Sequence, residues 1–460
     1  MMKRTKNTLC AVMTAAVVLG GSGVPVFAKS VQKSSAGNGQ QAKNVIVMVA
    51  DGWGYNQILA ANYYNAGKAN AEAYQNFPVA VGMSTFSSVG AYDPLTIWDD
   101  FDAFKAKPTD SAAAGTAMST GYKTYDAGIG VKADETSVTH IAEEFEMLGR
   151  ATGVVSSVQF YHATPASFAV HDVNRNNYNQ IAEELIRESA LEVVMAPGHP
   201  GFNDDNEEVA LNYTNLSKNK TAAPGNGALL WNDLTKGIAG ADRDGDKAVD
   251  PWAFIETREE FQAMMDGDVP NRVFGVPQAA STLQQGRSGD SKADPYAVDL
   301  NEGVPTLAEM SKAALNVLDN DEDGLFLMIE GGAIDWAGHA NQSGRVIEEM
   351  DDFNGAVDAV IDWVETNSSW SQTLLIVTGD HETGYLTGAD GTYGEVVNNG
   401  AGSLPGMVWN SGDHTNQLIP MFAKGQGAAV LRKTADQMDP VRGRYMDNTE
   451  FFGVILDLIQ

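Results

Sequence analysis

The chain has 460 residues, enough for one large α/β domain or for two to three domains of average size. It carries 60 acidic residues against 30 basic ones, a formal net charge of −30. Such a surface repels nucleic acids and anionic membranes, so we expect neither as a partner. It would also repel an anionic substrate. A phosphate site in this protein therefore requires strong local positive charge, which metal ions could supply.

The first 28 residues have the features of a secretory signal peptide. A basic start is followed by an apolar stretch over residues 9–19, and Val26–Ala28 places small residues three and one positions before a cleavage point. A membrane anchor is the alternative, but the apolar run is short and is followed by glycines and a proline. We therefore expect residues 1–28 to be removed, residues 29–43 to form a flexible tail, and the protein to be exported, as a periplasmic or extracellular protein.

Only one cysteine is present, Cys10, and it lies within the predicted signal peptide. The mature chain is therefore expected to contain no disulfide, although export normally permits them. Any bound metal must be held by histidine, carboxylate and hydroxyl groups.

From residue 44 onward, short apolar runs alternate with longer amphipathic stretches. The predicted strands are Val45–Ala50, Thr152–Val158, Glu192–Ala196, Arg272–Val276, Leu325–Ile329, Leu374–Thr378 and Leu418–Lys424. The predicted helices include Val138–Leu148, Tyr178–Glu188, Leu307–Leu318 and Val346–Glu365. This alternation predicts a single α/β domain over residues 44–460, with a mostly parallel central sheet and helices on both faces.

Two stretches, 198–305 and 384–412, interrupt this alternation and are rich in glycine and asparagine. We interpret both as loop insertions that decorate one sheet. They are either plain surface loops or a rim around an active site at that edge.

Acidic and histidine side chains follow several of the predicted strands. Ligands of open parallel sheets bind just beyond the carboxyl ends of the strands. The residues found there are Asp51, then Glu330 with Asp335 and His339, then Asp380 with His381, and finally His414, which precedes the last predicted strand. A single strand-end aspartate would more simply cap the next helix, but four such segments together predict a metal cluster.

The spacing of these residues suggests how two ions could be held. Asp335 and His339 are four residues apart and would share one face of a helix. With His414 they form a two-histidine, one-carboxylate set that leaves room for substrate, as a catalytic zinc requires. The adjacent Asp380 and His381 can reach a second ion.

The segment Thr109–Ala117 contains three consecutive alanines and is predicted to form a helix with Ser111 at its N-terminus. The helix dipole and the free backbone N–H groups at that end attract phosphate. The alternative is that Ser111 serves only as an N-cap, which is a common role for serine.

Together these motifs resemble those of the alkaline phosphatase family. The matching segments are Val49–Gly52, Asp110–Ala112, His162–Ala166 with Asn174–Arg175, Ile329–His339, Thr378–Thr383 and Gly412–Thr415. Their order and spacing agree with the family from about residue 44 to the end of the chain.

The resemblance implies hydrolysis of phosphate monoesters at alkaline pH, through a phosphoserine at Ser111, with two zinc ions and one magnesium ion per subunit. The implied ligands are Asp335, His339 and His414 for the first zinc, Asp51, Asp380, His381 and Ser111 for the second, and Asp51, Thr164 and Glu330 for magnesium. Arg175 would grip two phosphate oxygens, which its planar fork suits better than a lysine would. Because the family is often dimeric, a homodimer is expected.

Two residues at the expected phosphate mouth depart from the best-known bacterial members. His162 stands where those enzymes carry aspartate, and Trp336 stands where they carry lysine. The pair resembles marine, cold-active members of the family. Both residues are expected to contact substrate, and they put in question how tightly the third metal is held.

Two rival functions fit these residues less well. The first is another hydrolase of the same superfamily, a phosphodiesterase, sulfatase or phosphonate hydrolase. Ser111 lacks the following x-Pro-x-Arg of sulfatases, and the third-metal residues Thr164 and Glu330 and the phosphate arginine Arg175, which related diesterases generally lack, are present. A non-catalytic metal-binding protein would be suggested by the acidic stretches Asp242–Asp246 and Asp319–Asp323, but neither completes a twelve-residue calcium loop.

Overall fold

A computed structural model describes residues 41–216, 225–243 and 247–460. The predicted signal peptide and all but the last three residues of the predicted tail lie outside the described residues. The same holds for the last three residues of the acidic stretch Asp242–Asp246.

Seventeen strands occur in the described part of the chain. They are β1 (Asn44–Ala50), β2 (Val79–Ser84), β3 (Ala151–Ser156), β4 (Val193–Met195), β5 (Gly240–Ala241), β6 (Asp250–Pro251), β7 (Ala253–Ile255), β8 (Val273–Gly275), β9 (Leu325–Gly331), β10 (Thr373–Gly379), β11 (Glu382–Thr383), β12 (Leu386–Thr387), β13 (Val408–Trp409), β14 (His414–Thr415), β15 (Ile419–Gly425), β16 (Gln437–Asp439) and β17 (Gly443–Asp447).

Twelve α-helices accompany them in the same ranges. They are α1 (Tyr55–Ala66), α2 (Ser111–Thr120), α3 (Ile141–Met147), α4 (Ala163–Ser167), α5 (Tyr178–Arg187), α6 (Gly225–Thr235), α7 (Arg258–Ala263), α8 (Leu307–Leu318), α9 (Ala333–His339), α10 (Ser343–Asn367), α11 (Ala428–Thr434) and α12 (Thr449–Ile459). None of these helices combines the length and the apolarity that crossing a membrane requires.

Eleven of the strands form one central sheet, in the order β16-β17-β2-β15-β10-β1-β9-β3-β4-β8-β7. From β10 to β7 every neighbouring pair is parallel. Strand β15 runs antiparallel to both β10 and β2. The prediction of a mostly parallel sheet is therefore confirmed, with an antiparallel strand next to the centre.

Both faces of this sheet are covered by helices. Along β1, Val45, Val47 and Val49 pack into one hydrophobic core, while the alternate residues Ile46 and Met48 pack into the other. The first core is closed by α2–α6, α11 and α12, and the second by α1 and α7–α10. All seven β1 residues are buried, which explains why the segment Val45–Ala50 is a continuous apolar run rather than an alternating one.

The two predicted insertions are only partly irregular. Residues 198–305 contribute β7 and β8 to the edge of the main sheet, along with α6 and α7. Residues 384–412 contain the pair β12 and β13, whose Leu386 packs with Ala60 of α1. Strand β8 lies within the predicted strand Arg272–Val276, whereas β7, β12 and β13 have only two or three residues, too few for a hydrophobic period to be visible in the sequence.

Candidate active site

The site lies at the carboxyl edge of the three central strands. In the sheet register Ala50 of β1 is level with Gly379 of β10 and with Gly331 of β9. The residues that follow or end these strands, Asp51, Asp380 and Glu330, are therefore adjacent. All three are fully buried.

His414 reaches the same edge because β15 is antiparallel. Since β15 runs antiparallel to β10, the start of β15 lies beside the end of β10. The residues just before Ile419 are therefore located at the carboxyl end of β10. Strand β14, which begins with His414, also pairs with β11, which directly follows His381.

The first cluster consists of Asp335, His339 and His414. The Nε2 atoms of the two histidines lie 3.0 Å apart, and they are 3.4 and 3.3 Å from Asp335 Oδ1. Each ring donates its Nδ1–H to a backbone carbonyl, that of Gly412 at 2.6 Å and that of Thr109 at 2.7 Å. These hydrogen bonds fix a proton on each Nδ1, so Nε2 is the nitrogen that each ring offers to a metal once its own proton is displaced.

The second cluster consists of Asp51, Asp380 and His381. His381 Nε2 lies 3.6 Å from Asp51 Oδ1 and 3.3 Å from Asp380 Oδ2. The other oxygen of Asp380 accepts hydrogen bonds from the backbone N–H of Gly52 at 3.2 Å and of His381 at 2.9 Å. One oxygen of each carboxylate is thus directed to the histidine.

A third group lies on the far side of Asp51. Thr164 Oγ1 donates to Asp51 Oδ2 at 3.2 Å, and the Ser156 hydroxyl donates to Glu330 Oε2. Ligand atoms of Asp51, Glu330 and His162 lie within 4.8 Å of one another. The structure therefore brings together every residue that the family resemblance assigned to the three metals.

These side chains are arranged to bind cations rather than to form hydrogen bonds with one another. Asp51 Oδ1, Glu330 Oε1 and Asp380 Oδ2 are buried, and no hydrogen-bond partner for them occurs among the described residues. Unpaired buried carboxylate oxygens cost several kcal/mol each unless a positive charge compensates them. The donor set of oxygen and imidazole nitrogen suits zinc in the first two clusters and magnesium in the oxygen-rich third group.

In the absence of metal, the pKa values of the carboxyl groups in these clusters are shifted by burial and by the neighbouring charges. Burial, reinforced by the neighbouring carboxylates, raises the pKa of Asp51 well above its usual range. Burial also raises the pKa of Glu330 to about 7 and that of Asp380 to about 6. For Asp335, burial acts in the same direction but is outweighed by the hydrogen bond and charge of His414, so its pKa is lowered.

Ser111 is the first residue of α2, and its Oγ lies 3.2 Å from His381 Nε2. The N-cap of this helix is Asp110, whose carboxylate accepts the N–H of Ala113 at 3.0 Å. The alternative in which Ser111 serves as the cap is therefore wrong. Because Asp110 occupies that role, the Ser111 hydroxyl remains free to point into the site at the positive end of the helix.

Arg175 is held beside Ser111 by two contacts. Its NH1 donates to Asp110 Oδ2 at 3.0 Å and its NH2 donates to His162 Nε2 at 3.1 Å. Burial and the Arg175 charge lower the pKa of His162 to about 3, so this imidazole stays neutral and accepts the hydrogen bond. Two of the five guanidinium N–H groups are used, which leaves three for a ligand.

The cleft above these residues has a volume of about 390 Å³ and is lined by Ser111, His162, Arg175, Gln285, Asp335, Trp336, His339 and His414. Trp336 is half-buried, and its ring centroid lies 5.6 Å from that of His162. Sequence reasoning missed Gln285, which belongs to the irregular part of the 198–305 insertion. No local motif marks it.

Comparison with known proteins places the chain in a family. The alkaline phosphatase family model matches residues 42–404. Alkaline phosphatase 3 of Bacillus subtilis is 30% identical over 370 residues, which cover 79% of this chain and 66% of the relative. Alkaline phosphatase of Escherichia coli is 29% identical over 417 residues, covering 86% and 84%.

A solved structure, alkaline phosphatase from the Antarctic bacterium TAB5, aligns with a TM-score of 0.62 at 26% identity, covering 91% of this chain and 99% of that one. The enzyme of a psychrophilic Shewanella, at 22% identity and a TM-score of 0.63, shares the fold over 91% of this chain and all of that one. The family match and the fold agree with the clusters at the sheet edge, and the chain belongs to the alkaline phosphatase family of metal-dependent phosphomonoester hydrolases.

Proposed function

We propose that this protein hydrolyses phosphate monoesters with Ser111 as the nucleophile and Arg175 as the phosphate clamp. The observation that carries the proposal is the convergence of three features on one cleft. The Ser111 hydroxyl lies at the N-terminus of α2, a partly free guanidinium lies beside it, and two clusters of histidine and carboxylate lie on its other side.

In this arrangement Arg175 would bind two phosphate oxygens through its remaining N–H groups, which orients the phosphorus for in-line attack. The Ser111 oxygen, after its proton passes to solvent, forms a bond to phosphorus as the bond to the alcohol oxygen breaks, and the departing oxygen takes a proton from water to leave as the alcohol. Water next attacks the phosphoserine from the vacated side, releasing phosphate and restoring Ser111. Two successive in-line displacements predict retention of configuration at phosphorus.

The bound cations would lower the pKa of the Ser111 hydroxyl and neutralise the charge that develops on the attacking and leaving oxygens. We infer two zinc ions, one held by Asp335, His339 and His414 and the other by Asp51, Asp380, His381 and Ser111. We infer one magnesium ion, held by Asp51, Thr164 and Glu330. The support is the donor chemistry of each group and the unpaired buried oxygens described above.

Magnesium in the third group has indirect support from a relative. Structures of the TAB5 enzyme in which a histidine is replaced by aspartate or by glutamate carry magnesium in the site named M3. In the present protein His162 lies beside Asp51 and Glu330, but because its Nε2 accepts a hydrogen bond from Arg175, its ring hydrogen is on Nδ1, which therefore cannot bind the ion. We infer that this histidine makes magnesium binding weaker than a carboxylate would.

We further infer that the protein is exported, because its basic and apolar start suits a secretory signal and its acidic surface suits solubility outside the cell. A homodimer is the assembly that the family leads us to expect.

The deciding experiment compares initial rates on 4-nitrophenyl phosphate and bis(4-nitrophenyl) phosphate at alkaline pH with zinc and magnesium present. We expect the monoester rate to exceed the diester rate by several powers of ten, since the cleft provides a guanidinium for the dianionic phosphoryl group. A dominant diester rate would retain the metal clusters but contradict the proposed function.

A further inference from the structure

We propose that Gln285 and Trp336 form a leaving-group subsite that recognises an alcohol carrying a hydroxylated ring, as in sugar phosphates and nucleotides. This inference rests on the proposed function and adds a substrate preference to it. The two side chains line the cleft together with the phosphate-binding residues, yet neither belongs to the metal clusters.

Both residues lie on the α9 side of the cleft. Trp336 is on α9 itself, and Gln285 Nε2 donates to Gln342 Oε1 at 2.9 Å, three residues beyond the end of that helix. Further along the same segment, Lys292 Nζ donates to the carbonyls of Ala340 and Asn341 at the C-terminal end of α9. The segment that carries Gln285 therefore lies against the helix that carries Trp336.

The backbone on each side of Gln285 is fixed by buried partners. Leu283 N–H donates to the carbonyl of Ser157 at 3.2 Å, just beyond β3. The carbonyl of Gln284 accepts hydrogen bonds from Arg345 at 2.9 Å and from Arg287 at 3.0 Å, and both of these arginines are buried. The position of Gln285 is thus set by the fold, as a preorganised binding residue requires.

The chemistry of the pair suits a neutral polar ring. The hydrogen bond to Gln342 uses one amide hydrogen of Gln285, which leaves the second hydrogen and the carbonyl oxygen for a ligand. Because the amide is uncharged, it neither repels a phosphate dianion nor competes with Arg175 for it. The indole of Trp336 offers an apolar surface on which a ring can stack while a hydroxyl meets the amide.

The preference for a hydroxylated ring can be measured as the ratio of kcat/KM for two substrates, because a purely structural change would lower both values equally and leave the ratio unchanged. We would determine kcat/KM for ribose 5-phosphate, adenosine 5′-monophosphate and ethyl phosphate with the unmodified enzyme and with Gln285→Leu. The matched control is Gln262→Leu, an exposed glutamine of the same insertion that bonds Glu309 and is absent from the cleft lining.

In Gln285→Leu we expect the ratio of kcat/KM for ribose 5-phosphate to that for ethyl phosphate to fall about 3- to 10-fold, the effect of one neutral hydrogen bond. The same fall is expected for adenosine 5′-monophosphate, because both substrates offer the hydroxylated ring. The inhibition constant for inorganic phosphate, which has no leaving group, should stay within twofold. Trp336→Leu, which keeps an apolar side chain but removes the ring, should lower the same ratio. The control should change neither quantity.

An unchanged ratio in a folded Gln285→Leu protein would overturn the subsite. So would an equal loss on all three substrates, which indicates a structural role, or a loss confined to the nucleotide, which assigns the contact to its base. Failure of the unmodified enzyme to turn over ethyl phosphate would instead contradict the proposed function, and this inference with it.

Discussion

Replacing Arg175 by alanine separates phosphate binding from the rest of the site. The Arg175 side chain is only 17% exposed and bonds Asp110 and His162. Asp110 would keep the N–H groups of Ala113 and Ala127, at 3.0 and 3.1 Å, so the N-terminus of α2 would stay capped. We therefore expect the variant to fold and to retain its metals.

The Arg175→Ala variant should lose affinity for the phosphate dianion. A hydrogen bond to a charged group contributes about 1.5–3 kcal/mol, and water can replace part of that in a cleft open to solvent. We expect the inhibition constant for inorganic phosphate to rise roughly 10- to 100-fold, about 1.4–2.7 kcal/mol. For Arg175→Lys the inhibition constant should lie between those of the unmodified enzyme and Arg175→Ala. Lysine keeps the positive charge but lacks the planar guanidinium group that can bind two oxygens. For both variants, the inhibition constant is measured from competitive inhibition of monoester hydrolysis by phosphate, and phosphate binding is checked by titration calorimetry.

Arg187→Ala is the matched control. Arg187 ends α5 and pairs with Asp233 at 2.8 Å, with a partly exposed side chain and no place in the cleft lining. Its removal should leave the phosphate inhibition constant unchanged. If Arg175→Ala folds, keeps its metals and still binds phosphate as tightly as the unmodified enzyme does, the clamp assignment is wrong.

Three further outcomes are expected. Ser111→Ala should abolish turnover and the acid-stable phosphoenzyme while zinc content is retained; normal turnover would refute the nucleophile. His162→Asp should tighten magnesium binding about 10-fold, since magnesium prefers carboxylate oxygen, and a magnesium titration of Tm that does not shift would contradict this. After chelation, Tm should fall as pH rises from about 4 to about 7. The pKa values of Glu330 and Asp380 are raised to about 7 and about 6, so the folded state binds more protons than the unfolded state, and this stability is complete only below the unfolded pKa values of about 4. An equal slope in the metal-loaded protein would count against metal binding there.

The fold could be predicted where its strands are long and buried on both faces. Strands β1, β9 and β10 each have seven consecutive buried residues, and their apolar runs stand out in the sequence. Strand β7, by contrast, has three residues, and its place at the sheet edge depends on pairing with β8. The sequence pattern cannot reveal such a strand, because three residues are too few to show a hydrophobic period.

The location of the site could also be predicted from these long, buried strands. Because parallel strands end at one edge, the acidic residues after β1, β9 and β10 could be placed together before any distance was known. Gln285 could not be found in this way. It enters the cleft because Ser157 and Arg345 hold the neighbouring backbone, and neither contact has a signature near Gln285 in the sequence.

The sequence by itself determined the parallel α/β architecture, the edge at which the chemistry occurs and the residue types available for it, because these depend on local runs and spacings. The tertiary structure decided which atoms meet. It placed His339 and His414, 75 residues apart, with their Nε2 atoms 3.0 Å from each other, and it left Asp51 Oδ1 and Glu330 Oε1 buried with no hydrogen-bond partner in the part of the chain that the structure describes. The physical reason is that burial and charge compensation depend on neighbours that only the folded chain assembles.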